Sequence, residues 1–416
     1  MSLTYTIIGT GALGGYYGGQ LARAGCRVNF LVRSDFDHVQ EHGLRVDLIP
    51  TDETYVLKPD THDVGFFGDP ADLPPADVVL VCLKTTQNHQ LPELLQPNTM
   101  HNDTLVVTMQ NGLHPERDIA AIVGEDRTAG GLCFLCSNKL GPGHISYLDY
   151  GFIKLGAHPP RASRQMVERL EQIANDFRGS GVKCDAVDDL VLARWQKLVW
   201  NVPYNGLSVV SGLTTDQIMA DPTERYWVRS LMQEVVDAAA AVDGKVIGEE
   251  FIEAMIENTL KMAPYKTSMM LDYESARPME IEAIVGDPLR AIHNLNQSAV
   301  CMERIYDNLI IKEHEQLTSK QRPLATRWQF TVLQWIESIE SSDHYTFPDG
   351  CKRTAKVAAH RGIPAIQSRN PNQFRESTAG TYRILADEMG GWEPLSGFAK
   401  AHREVLDELN ASHLQD

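Results

Sequence analysis

Residues 4–33 read TYTIIGTGALGGYYGGQLARAGCRVNFLVR. A short β-rich run, Tyr5 to Ile8, leads into Gly9-x-Gly11-x-x-Gly14. A helical pattern through Ala24 and a second strand, Val28 to Val32, follow. No other stretch limits the fold so narrowly, because strand, glycine turn, helix and second parallel strand make a βαβ unit. The three glycines do different things there. Gly9 makes the tight turn, Gly11 leaves room for a pyrophosphate, and Gly14 lets helix and strand approach. The helix start, with Ala12 and Leu13 beside it, offers backbone N–H donors and a partial positive charge to phosphates. A GxGxxG alone is weak evidence; strand before it and helix after it separate this one from a chance glycine-rich turn.

The residue closing the second strand discriminates between dinucleotides. NAD and FAD sites place Asp or Glu there to bind ribose hydroxyls. Here it is Arg33, followed by Ser34, and a guanidinium suits a 2′-phosphate through charge-assisted bonds. NADP(H) is therefore the expected cofactor, with Asp35 as the competing signal. Two further apolar runs read as buried parallel strands: DVVLVCLK (77–84), ending in Lys84, and TLVVTMQNG (104–112), ending in Gln110-Asn111-Gly112. Ligands of open α/β sheets bind beyond the carboxyl ends of the strands, where these polar residues fall. HISYLDYGFIKLG (144–156) reads as a strand pair, 161–181 as an amphipathic helix, and VKCDAV as a closing strand.

From Asp188 the hydrophobic period changes from two to 3.6, and helices are expected over 188–210, 222–243, 249–262 and 279–314. The first is mostly apolar, yet Lys197, Asn201 and Asn205 recur four residues apart. Each such step turns a helix by about 400°, so the three tips form one slowly drifting stripe. Pro203 inside this segment should bend it or break a turn. The two amides then either face a ligand or satisfy backbone groups freed by that proline.

Taken together, these stretches resemble the ketopantoate reductase (2-dehydropantoate 2-reductase) family over about residues 1–315. The resemblance rests on GTGALGG (9–15), VCLKTTQ (81–87), MQNGL (109–113), WQKLVWNVPYNGL (195–207) and TSMMLDYESARPMEIEAIVG (267–286). It implies an α/β fold: an N-terminal Rossmann dinucleotide-binding domain (1–187), then an all-helical domain like that of 6-phosphogluconate dehydrogenase (188–317). A C-terminal helical extension (318–416) would lie outside it. The implied reaction is reduction of a 2-oxo acid by NADPH, ketopantoate to pantoate in the first place. Lys197 then corresponds to the general acid and Glu280 to a carboxylate interacting with that lysine and the substrate. Asn111, Asn201, Asn205 and Ser268 correspond to substrate contacts, with Asn111 also near the nicotinamide, and Lys84 to the cleft lysine. Asp272 falls in the family pattern as a structural candidate. Tyr265 stands where the family often has asparagine, which bears on the substrate. The alternatives are a related dehydrogenase of another 2-oxo, 2-hydroxy or imino acid, and a non-catalytic NADP(H) sensor.

Chemistry explains the residue types. Hydride arriving at a ketone carbon puts negative charge on oxygen, which a positioned acid must neutralise. A lysine in an apolar site has a lowered pKa and donates its proton more readily.

Composition narrows the partners. A net charge of −17 argues against nucleic acid or an anionic membrane as the main partner. MSLTYTIIG lacks the basic region of a secretory leader, and no run approaches 18 apolar residues, so a cytoplasmic protein is expected. The 7 cysteines are odd in number and scattered, as in a reduced compartment. Cys133 and Cys136 form one CxxC with Phe and Leu between, read as core packing, and no metal site is expected. Residues 317–416 hold 12 basic and 12 acidic side chains, so the acidic excess lies before them. Trp328 and Trp335 share one face of an amphipathic helix there, expected to pack on the helical domain or a second subunit, in which case a homodimer.

Overall fold

The computed structural model describes residues 3–95, 100–158 and 163–320. The described residues through Leu309 belong to one compact unit. The expected C-terminal segment, with Trp328 and Trp335, lies outside the described residues apart from its first three.

The apolar runs form one ten-stranded sheet. Its strands are β1 (Thr4–Ile8), β2 (Arg27–Leu31), β3 (Leu44–Leu48), β4 (Glu53–Leu57), β5 (Val64–Phe67), β6 (Ala76–Val81), β7 (Met100–Thr108), β8 (Thr128–Gly141), β9 (His144–His158) and β10 (Cys184–Ala186). The order is β4-β3-β9-β8-β7-β6-β1-β2-β5, with β10 beside β9. From β5 to β8 every neighbour is parallel. The chain moves outward from β1 to β2 on one side and returns to β6 on the other. That reversal opens a crevice at the carboxyl ends of β1 and β6, where an open α/β sheet binds its ligand. The strands are apolar on both faces: Tyr5, Ile7, Val28, Phe30, Val78 and Leu80 are buried on one, and Ile8, Leu31, Val79 and Val81 on the other.

One strand reading needs correction. Residues 144–156 are not a pair but one strand, β9, whose partner is β8. The interior glycine and polar residues imitate a turn. Gly151 at φ +103° and Tyr150 at +63° instead accommodate irregularities in a long antiparallel ribbon. The CxxC lies in β8, with both thiols free and buried.

Beyond β10 the described chain is helical: α6 (Leu190–Ser211), α7 (Thr215–Ala220), α8 (Pro222–Asp243), α9 (Glu249–Leu260), α10 (Ser268–Glu274), α11 (Asp287–His293) and α12 (Val300–Lys320). Five helices precede them among the described residues: α1 (Ala12–Arg23), α2 (Phe36–His42), α3 (Leu91–Leu94), α4 (Glu116–Val123) and α5 (Arg164–Gly179). The helix expected over 279–314 is broken. A π-helical turn, Glu282–Gly286, leads into α11, and the chain turns at Asn296 (φ +57°) before α12. Asparagine tolerates that left-handed geometry, and hydrophobic period alone does not register it. The break expected at Pro203 is absent, and α6 runs unbroken for 22 residues. Val199, Val202 and Tyr204 around the proline are fully buried, against α8 and α10 among others. Their packing outweighs one missing hydrogen bond. Asp189 caps the start of α6 by accepting from Leu192 N–H at 2.9 Å, and Gly212 ends it in the left-handed region. Among the described residues no helix is long and apolar enough to cross a membrane.

Candidate active site

A cleft of about 1180 Å³ runs from the glycine turn to the polar stripe of α6. Gly9, Gly11, Ala12, Leu13 and Arg33 line one end; Lys84, Asn111, Lys197, Asn201, Asn205, Ser268 and Glu280 line the other. All predicted site residues except Gly14 thus share one cavity. Gly14 works underneath: a Cβ there would lie 2.3 Å from the Gly9 carbonyl oxygen and 2.8 Å from Ile7. Gly9 has φ +97°, and its Cβ would strike the backbone of Leu83. Over Gly11 a Cβ would meet nothing within 4 Å. Gly11 is the N-cap of α1, and no side chain caps that helix. An open floor beneath uncapped backbone donors fits a pyrophosphate.

At the end of β2 the Arg33 guanidinium is exposed and forms no ion pair among the described residues. Asp35 is buried and already engaged. It accepts from Gly143 N–H (2.9 Å) and Ser34 Oγ (2.8 Å), and pairs with Lys139. Burial alone would raise its carboxyl; the bonds from Lys139, Gly143 and Ser34 outweigh that and hold it below its ordinary value.

The reacting end is built around Lys197. Its ammonium donates to Asn111 Oδ1 at 2.9 Å and to the Cys133 carbonyl at 2.6 Å. It also lies 5.1 Å from the centre of the Phe134 ring. Burial pushes the ammonium down to about 8; the Cys133 and Glu280 charges work against that shift, and Arg194 adds to it. Of its three N–H bonds two are used among the described residues, which leaves one for a ligand in the cleft.

Glu280 does not touch Lys197 among the described contacts. Its Oε1 accepts from Thr85 N–H and Thr85 Oγ, both at 3.0 Å, and its Oε2 accepts from Asn111 Nδ2 at 3.2 Å. The Asn111 amide therefore bridges the two, carbonyl toward the lysine and NH₂ toward the carboxylate. Gly112, at φ +102°, and the π-helical turn hold this bridge: a Cβ at Gly112 would lie 2.6 Å from Ala283, whose carbonyl accepts from Leu113 N–H at 3.1 Å. Such turns recur at functional sites because the extra residue redirects nearby side chains.

Asn201 and Asn205 are 8% and 2% exposed. Neither amide side chain has a hydrogen-bond partner among the described residues, so they do not serve the backbone around Pro203. Ser268 opens α10 and faces the cleft. Lys84 pairs with Asp272, which also accepts from Arg277 Nε at 3.0 Å. Tyr265 lines the cleft beside Cys136, and burial raises its phenol well above the ordinary value, with Cys136 adding to this.

Four contributors escaped the sequence reading: Thr85, the Cys133 carbonyl, the Phe134 ring and the Arg194–Glu116 pair. Only Arg194 had a visible signal, a charge one turn before Lys197 on an apolar helix.

A largely parallel sheet with a glycine turn at its reversal, joined to helices that close the cleft with a desolvated lysine, defines a dinucleotide-dependent oxidoreductase. Residues 5–160 match the family described as ketopantoate reductase PanE/ApbA, and residues 189–313 match its C-terminal part. A 2-dehydropantoate 2-reductase of Nostoc sp. is 46% identical over 306 residues, covering 73% of this chain and 93% of the relative. The crystal structure of 2-dehydropantoate 2-reductase from Geobacter metallireducens superposes with a TM-score of 0.69 at 38% identity, covering 74% of this chain and 99% of that one. D-mandelate dehydrogenase shares the fold alone, at 18% identity and a TM-score of 0.67. The chain belongs to the ketopantoate reductase family.

Proposed function

We propose that this chain reduces ketopantoate, a branched 2-oxo acid, to the 2-hydroxy acid pantoate with NADPH. The observation that carries the reading is Lys197. Its ammonium is held at two points, has one N–H to spare, and lies in a cleft continuous with the glycine turn. The reductase name of relatives at 46% and 38% identity supports the substrate class.

Residues 1–187 would hold the cofactor and 188–317 the substrate side. Gly9, Gly11, Ala12 and Leu13 receive the pyrophosphate, and Arg33 takes the 2′-phosphate. NADPH is favoured over NADH because Arg33 is unpaired among the described residues while Asp35, which would serve a ribose diol, is committed to Lys139 and Gly143. When bound, the reduced nicotinamide supplies hydride to the substrate carbonyl carbon. Lys197 Nζ donates its proton to the carbonyl oxygen as charge develops there. Asn111 keeps the ammonium aimed, and Glu280, fixed by Thr85, keeps Asn111 from rotating. Asn201, Asn205 and Ser268 bind the substrate carboxylate and hydroxyl without adding net charge. Lys84, held by Asp272, sits at the mouth of the cleft and favours anions there.

Tyr265 favours a second reading, another 2-oxo acid, because a phenol reshapes the pocket around the non-reacting end. Initial rates with NADPH or NADH against ketopantoate, 2-oxoisovalerate and larger or aromatic 2-oxo acids test both. Ketopantoate ahead by about 10²-fold supports the first, since a lost polar contact discriminates more strongly than a lost methylene. A flat or aromatic-favouring profile replaces it with the second. Inactivity on every 2-oxo acid removes both.

A further inference from the structure

One buried ion pair has no place in the chemistry above. Arg194 and Glu116 have side chains only 2% exposed each. Arg194 Nε donates to Glu116 Oε1 at 2.9 Å, and a terminal nitrogen makes a second, shorter bond to the same oxygen. The other terminal nitrogen donates to the Gln110 carbonyl at 2.6 Å. The space is reserved, for a Cβ on Gly130 would lie 2.1 Å from Glu116 Oε1.

Position makes this more than a core contact. Arg194 sits one helical turn before Lys197, and Gln110 directly precedes Asn111. The guanidinium therefore clamps the backbone beneath Asn111 to the helix that carries the lysine. The planar fork allows this, since it can bind a carboxylate with one edge and a carbonyl with the other. A lysine ammonium carries all its donors on one atom and does not reproduce these two separated edges. Resting on the reading of Lys197 as proton donor, we propose that Arg194, seated by Glu116, is a positioning residue that sets the separation of Lys197 and Asn111 and thereby the aim of the proton.

Deleting one member alone would strand a buried charge and report stability rather than function. The test therefore uses Arg194→Lys, which keeps the charge, and the double variant Arg194→Gln/Glu116→Gln, which removes both charges. NADPH affinity, kcat, KM and the pH profile are measured on the full chain, with Lys197→Ala as control. The charged and titratable groups acting on Lys197 are Cys133, Arg194 and Glu280. Arg194→Lys should lower kcat about 10- to 100-fold, since a misplacement of about 1 Å can cost about 10²-fold, with NADPH affinity within about twofold and the pH profile in place. The double variant should lower kcat further, and because the deleted pair is neutral overall the basic limb should stay close to its wild-type position. Wild-type kcat in Arg194→Lys overturns the inference, as does wild-type kcat in a folded double variant. If the double variant does not fold, Arg194→Lys decides alone. If Lys197→Ala keeps full activity, the underlying assignment of the proton donor has failed instead.

Discussion

Removing the Glu280 charge should move the pH at which the enzyme loses its proton donor. Lys197 donates to Asn111 Oδ1 at 2.9 Å, and Asn111 Nδ2 donates to Glu280 Oε2 at 3.2 Å. With the amide between them, the two charges lie within about 8 Å. At an effective dielectric near 20 their attraction is about 2 kcal/mol, and water in the cleft reduces it, leaving about one pKa unit. Burial has already brought the lysine down to about 8, and Glu280 opposes that shift. In Glu280→Gln the opposing charge is gone, so the lysine falls further. The sign for catalysis follows directly: reduction needs the protonated ammonium, so kcat/KM is high below the lysine pKa and falls tenfold per unit above it. The wild-type profile should break near pH 8 and the variant about one unit lower. Glutamine keeps one acceptor oxygen for Thr85 but sets an NH₂ against the Asn111 NH₂, so the bridge loosens and the rate falls as well; the position of the limb, not its height, reports the charge. The assay is kcat/KM for the 2-oxo acid between pH 5.5 and 10 at saturating NADPH. A break that stays in place, or moves upward, refutes the electrostatic coupling.

Four further outcomes are expected. Lys197→Ala should lower kcat by about 10²-fold or more with NADPH binding near normal, measured by steady-state kinetics and fluorescence titration. Arg33→Ser should weaken NADPH by about 1.5–3 kcal/mol and leave NADH almost unchanged; equal losses for both would remove the 2′-phosphate assignment. Gly14→Ala places a Cβ 2.3 Å from the Gly9 carbonyl, so thermal denaturation should show a clear loss of stability together with weakened dinucleotide binding. Tyr265→Asn should move the kcat/KM ranking toward hydroxylated 2-oxo acids while the pH profile stays put; an unchanged ranking would take Tyr265 out of substrate selection.

Much of this architecture was legible in local pattern. Gly9, Gly11 and Gly14 mark a turn that only a βαβ unit uses in that way, and buried parallel strands leave continuous apolar runs such as ADVVLV. The four-residue recurrence of Lys197, Asn201 and Asn205 placed three polar tips on one helical stripe, and the resemblance to a family joined that stripe to Asn111 and Glu280. Such signals depend on spacing along one element, which the chain carries in its order of residues. What they could not carry is the meeting of elements. Lys197 finds its second acceptor in the backbone carbonyl of Cys133, and a carbonyl leaves no trace in residue identity. Thr85 joins Glu280 across 195 positions and Arg194 joins Glu116 across 78, so neither pairing has a local period to reveal it. Pro203 stays helical because buried neighbours outweigh a local preference, and the run over 279–314 breaks at Asn296, where a left-handed turn follows α11 without disturbing the hydrophobic period. Sequence order determined which surfaces were apolar, which strand ends were polar and where the chain could turn. Tertiary packing decided which charge faces which amide, because those contacts join elements far apart in the chain.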